Sequence, residues 1–120
     1  MMTAQHAQPG GPGITRPERT PAALRCALAQ VAPHRLAEME RDKDEAIALA
    51  AATDRLGPIV QFLETWAVAV EIARNPALAA RLRAAEHAAR TTDRNAPVWR
   101  AALDEIHAVH AVARQSLVRE

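Results

Sequence analysis

Asp104, His107 and His110 come nearest to a set of side chains that could do chemistry, recurring at i, i+3 and i+6. An acid followed three residues later by histidine is half of a di-iron bundle motif, which needs the same half from a second helix. Only Asp104 and His107 show that spacing. Zinc sites on helices favour histidines at i, i+4 with a third ligand close by, and that pattern is absent. His110 also falls on the apolar stripe of its own helix, where a packed histidine is the ordinary outcome. Cys26, the single cysteine, and Ser116, the single serine, come with no histidine and acid at a spacing that marks a nucleophile. Three of the four glycines, Gly10, Gly11 and Gly13, lie in a proline-rich N-terminal stretch and Gly57 separates two helices, which leaves no phosphate-binding loop. The sequence therefore predicts no catalytic residues, no metal and no cofactor, and a protein that is not an enzyme.

The elements that carry these residues are helical throughout. Residues 1–19 hold Pro9-Gly10-Gly11-Pro12-Gly13 and only Ile14 as a sizeable apolar residue after the two methionines, which predicts a disordered tail. Thr20-Pro21 reads as an N-cap followed by proline at the first helical position, with Leu24, Leu28 and Val31 at helical spacing behind it. Pro33 is expected to open a second helix running to Arg55, with Gly57 as its left-handed cap and Leu36, Met39, Ala46, Ile47 and Ala50 on its inner face. Lys43 falls at the centre of that face, its stem packed and its ammonium reaching outward. Pro58 opens a third helix whose stripe is Ile59, Phe62, Leu63, Trp66, Val70 and Ala73. Asn75-Pro76 ends it and caps a fourth, which has only Leu78 and Leu82 as large anchors. Pro97 begins the last, striped by Trp99, Ala102, Leu103, Ile106, Val109, Ala113 and Leu117. The expected fold is all-α, a bundle of four or five helices over residues 20–120 behind the disordered tail.

Leu, Ile, Val and Phe together make only 24 of the 120 residues, while 29 are alanine. That is close to the level at which chains struggle to offset conformational entropy, so self-association or a partner is expected to add stability. Alanine compensates in part, because it favours helix and lets helix axes approach closely. The N-terminus lacks a basic and apolar export signal, and the longest all-apolar run, Ala46 to Ala52, is far short of the ~20 residues that span a bilayer. A cytoplasmic protein with no membrane partner is the expectation.

Charge is uneven. Residues 38–73 carry a balance of −5 and residues 74–100 one of +4. The first stretch, with Glu38, Asp42 and Glu45, offers an acidic face for a basic partner. The second, with Arg81, Arg83, Arg90 and Arg94, offers a basic face for nucleic acid. The arginines are scattered, the chain is nearly neutral and no helix-turn-helix pattern stands out, so nucleic acid is the less favoured partner. Turning Phe62 and Trp66 inward places Val68 and Ile72 beside Gln61, Glu64 and Glu71 on the opposite side of the third helix. Two large apolar residues at i, i+4 among polar neighbours describe either a contact surface or a helix buried on two sides.

Over about residues 20 to 75 the chain resembles an uncharacterised family of short helical proteins from high-GC actinobacteria, a domain of unknown function. The resemblance is carried by Pro21-Ala22-Ala23-Leu24-Arg25, by Leu36-Ala37-Glu38-Met39 with Glu45-Ala46, and by Leu56-Gly57-Pro58-Ile59 followed by Phe62-Leu63-Glu64 and Trp66. It implies a small intracellular protein and an antitoxin-like role, since some members are encoded beside basic RNA-cleaving toxins. Arginines are expected directly after the tryptophan, and here Ala67-Val68-Ala69-Val70 stands instead. The combined expectation is a helical protein-interaction module whose surface comprises Gln61, Glu64, Val68, Glu71 and Ile72 with Glu38, Asp42 and Glu45, engaging a protein partner or a second copy. A small DNA-associated regulator is the alternative.

Overall fold

A computed structural model describes residues 13–119. Five α-helices follow one another, α1 (Pro21–Val31), α2 (Leu36–Thr53), α3 (Gly57–Ala73), α4 (Pro76–Thr91) and α5 (Pro97–Val118), with one 3₁₀ turn, Pro33–Arg35, between the first two. The fold is all-α. Local chemistry sets most of the boundaries. Thr20 Oγ1 accepts a hydrogen bond from the Ala23 amide, and Asn75 Oδ1 accepts from both Ala77 and Leu78, so each satisfies amides that a helix start leaves open.

Two boundaries differ from expectation. Pro33 opens the 3₁₀ turn rather than α2, which begins three residues later at Leu36. At the other end of α2 the left-handed residue is Asp54 (φ 56°, ψ 40°), while Gly57 is the first residue of α3. Aspartate tolerates this conformation better than most residues, and its position directly after Thr53 lets its amide reach the Ala50 carbonyl. Gly57 is thus an ordinary helical glycine, with nothing within 4 Å of where a Cβ would stand. Gly57→Ala is expected to stabilise the fold by about 0.5–1 kcal/mol by restricting the unfolded chain. A urea titration showing no gain would contradict that account.

The helix α3 is the axis of the molecule, with a separate apolar core on each side. On one side Phe62, Trp66, Ala67 and Val70 pack with Leu24, Ala27 and Leu28 of α1 and Met39 of α2. On the other, Val68 and Ile72 pack with Leu78 of α4 and with Val109 and Ala113 of α5. The two hairpins, α2–α3 and α4–α5, meet along the C-terminal half of α3. The radius of gyration, 16.4 Å, exceeds the ~13 Å of a compact chain of about 100 residues, so the assembly is open rather than spherical.

The expected tail also needs correction. Residues 1–12 lie outside the described residues, but from Gly13 the chain is built into the fold. The Gly13 amide donates to the Arg74 carbonyl, Arg74 Nη1 donates to the Ile14 carbonyl at 2.8 Å, and Ile14 packs against the first core. Anchoring by the end of α3 gives this proline- and glycine-rich segment what its own composition cannot.

Candidate functional site

The second apolar face of α3 decides where a site can lie. Val68 and Ile72 do not form the exposed contact surface that their polar neighbours in the sequence suggest, since they are 8% and 4% exposed against α4 and α5. The helix is buried on two sides. Glu71 is corrected with them. It is 5% exposed and sits between two arginines, with Arg16 Nε and Nη2 donating to its two carboxylate oxygens at 2.9 Å each and Arg74 Nε donating at 3.0 Å. Burial pushes this carboxyl up, but the paired hydrogen bonds from Arg16 and Arg74 outweigh it and hold the group below its ordinary value. It is an internal clamp joining the N-terminal segment to α3.

Much of the acidic stretch is also used within the chain. Asp42 accepts from the Trp66 indole N–H at 3.0 Å, and Glu38 takes a two-pronged bond from Arg35, whose hydrogen bonding holds Glu38 below its ordinary value. Glu40 bridges Arg25 and Lys43, so the Lys43 ammonium ends beside α2 itself. Arg35 in turn lies 4.7 Å over the Trp66 ring, a cation–π contact. Trp66 is therefore held on its edge by Asp42 and on its face by Arg35. Among the described residues Glu38 and Glu40 are the members of this stretch in ion pairs, Asp42 is held by the Trp66 indole, and Asp44 and Glu45 are in neither kind of contact.

Where the two hairpins diverge, the polar part of the same α3 face opens into a cleft of about 610 Å³. Gln61, Glu64 and Thr65 form its α3 wall, running down to Val68 and Ile72 as an apolar floor, with Leu82 opposite. Gln61 Nε2 donates to Thr65 Oγ1 at 3.2 Å and so stiffens the wall. Val31, His34 and Arg35 line it from α1 and the 3₁₀ turn, Arg83 and Glu86 from α4, and His110 and Arg114 from α5. Of the expected surface, the cleft gathers Gln61, Glu64, Val68 and Ile72, and it leaves out Glu38, Asp42, Glu45 and Glu71. The contributions of Arg83 and Arg114 were not anticipated from sequence, because nothing local places α4 and α5 opposite the front of α3.

The other candidates are placed as follows. His110 is half-buried with Nδ1 2.9 Å from the Ile106 carbonyl, whereas Asp104 and His107 are exposed. Among the described residues no group of three or more His, Cys, Asp or Glu side chains is arranged to hold a metal. Cys26 is exposed. Of the basic residues on and after α4, Arg81 is bound to Glu105 by two bonds of 2.8 and 3.1 Å, Arg94 lies 5.6 Å over Trp99, and Arg83 enters the cleft. They are not marshalled into one array. No described helix is long and apolar enough to cross a membrane.

Fold and cleft together define a five-helix protein of two hairpins with a half-open amphipathic groove at their junction. No protein-family model, no curated protein and no solved structure matches the chain.

Proposed function

We propose that this chain is a non-enzymatic interaction module that receives an amphipathic segment of a protein partner in the cleft between its hairpins. The observation that carries the reading is the composition of the cleft, an apolar floor of Val68, Ile72 and Leu82 under a rim of both charge signs. Such a groove suits a helix laid with its apolar face down, the rim setting orientation. Arg83 and Arg114 make no ion pair among the described residues, so carboxylates flanking the partner's apolar stripe are their natural complement. The antitoxin-like form of this reading loses part of its acidic surface, because Glu38, Glu40 and Asp42 are engaged within the chain. The DNA-associated alternative is likewise weakened by the internal use of Arg81 and Arg94.

The test is affinity capture from the source organism with the wild-type chain beside an Arg83→Glu/Arg114→Glu variant of unchanged helical content. Both arginines are exposed, so the exchange should leave the cores intact. A protein retained by the wild type and reduced about tenfold or more by the exchange is the expected result. Equal retention by both chains would remove the cleft from the proposal.

A further inference from the structure

The apolar run Ala46 to Ala52 plays no part in the cleft, and its outer side is bare. Met39, Lys43, Ala46 and Ala50, spaced at helical intervals, form the partly or fully buried face of α2. The other side is Ala48, Leu49, Ala51 and Ala52 together with Ile47, which is not on the inner face expected for it, all exposed, with Ile47 at 52% and Leu49 at 53%. A surface helix ordinarily turns charged and polar residues outward. Here one and a half turns turn out only apolar ones. At the same end of the α2–α3 hairpin Leu56 and Val60 are 74% and 51% exposed. The four large side chains and the alanines between them expose on the order of 500 Å², comparable to the largest apolar patches on monomers and usually a sign of a covering surface.

We infer that this face is covered by a second copy of the chain, the two α2 helices packing antiparallel about a two-fold axis level with Ala50. The charges that bound the patch select this occupant. Two antiparallel copies centred on residue 50 place Glu45 of one opposite Arg55 of the other, twice by symmetry, while Asp54 meets the uncharged Ala46. None of Glu45, Asp54 and Arg55 makes an ion pair within the chain among the described residues. Ala48 and Ala52 face each other across the axis, where small side chains let the helices approach, and Ile47 and Leu49 flank them. A parallel arrangement would instead stack Glu45 on Glu45 and Arg55 on Arg55. The two patches together supply at most about 1,000 Å², the low end of specific interfaces, which makes the dimer a weak one. This pairing leaves the cleft open and does not rest on the reading given to it.

Sedimentation equilibrium of the full chain from about 1 to 500 µM tests the inference, because that range spans the concentrations at which a weak dimer forms. The wild type is expected to shift from monomer to dimer mass, and Ile47→Glu/Leu49→Glu, at exposed positions that leave both cores untouched, to remain monomeric throughout. Glu45→Arg and Arg55→Glu should each weaken the dimer about tenfold, and the double exchange Glu45→Arg/Arg55→Glu should restore it to near the wild-type constant. A wild type of constant monomer mass overturns the inference. So does a dimer insensitive to the Ile47 and Leu49 substitutions, or single charge reversals that the double exchange fails to repair.

Discussion

Trp66→Ala is expected to remove most of the stability of this protein. The side chain is 1% exposed and is the largest in the first core, where it meets residues of α1 and α2. Truncating a buried tryptophan costs about 3–5 kcal/mol, against a total of about 5–15 kcal/mol for a typical domain. With few large apolar residues elsewhere, the loss cannot be spread. The midpoint of thermal unfolding followed by circular dichroism should fall by about 15 °C or more. The polar attachments of the ring account for part of this. Trp66→Phe retains an aromatic body but gives up the indole N–H to Asp42, and in a double-mutant cycle with Asp42→Ala the coupling should be about 1 kcal/mol, since the carboxylate is only half-buried. A loss of under about 1 kcal/mol for Trp66→Ala would show that α3 is not the axis of the fold.

Glu71→Ala should have the next largest effect. Removing one member of a buried ion pair costs about 3–5 kcal/mol because the partner charge is left without its counterpart. Arg16 and Arg74 retain 21% and 17% exposure while the carboxylate side chain has 6%, so water can reach the stranded arginines and the lower end of that range applies. The same clamp makes stability depend on acid. The folded carboxyl titrates below its ordinary value of 4.5, so its contribution is complete above that pH and is lost as the pH falls through the folded value. Glu71→Gln keeps the shape without the charge. Its deficit relative to the wild type should be largest near pH 7 and should shrink in urea titrations as the pH falls below the ordinary carboxyl value of 4.5. A deficit that stays constant with pH would mean that the arginines do not hold the carboxylate. Limited tryptic proteolysis after Arg19 should accelerate in the same variant, since the clamp anchors that segment.

How much of this was legible beforehand differs from element to element. Thr20-Pro21, Asn75-Pro76 and Pro97 mark helix starts through interactions spanning three or four residues, and each stands where its residues place it. The apolar stripes of α3 and α5 are periodic within one helix and both are packed as that period requires. Local sequence does not locate the end of α2, because Asp54 and Gly57 both permit a left-handed turn, and it is the Asp54 amide that reaches the Ala50 carbonyl. The pairing of Arg16 with Glu71 spans 55 residues and that of Trp66 with Asp42 spans 24, and neither leaves a mark in local spacing.

The residues 61–72 of α3 show the division most plainly. Their types and period establish an amphipathic helix with a second apolar patch at Val68 and Ile72, because hydrogen-bond geometry and side-chain spacing are properties of one short segment. What lies against that patch is a property of the whole chain. Its burial by α4 and α5, the cleft left in front of Gln61 and Glu64, and the exposure of Ile47 and Leu49 on the other helix of the same hairpin all follow from how two hairpins divide a small supply of large apolar side chains. That division is settled by contacts between residues far apart in the chain, and only the folded arrangement reveals it.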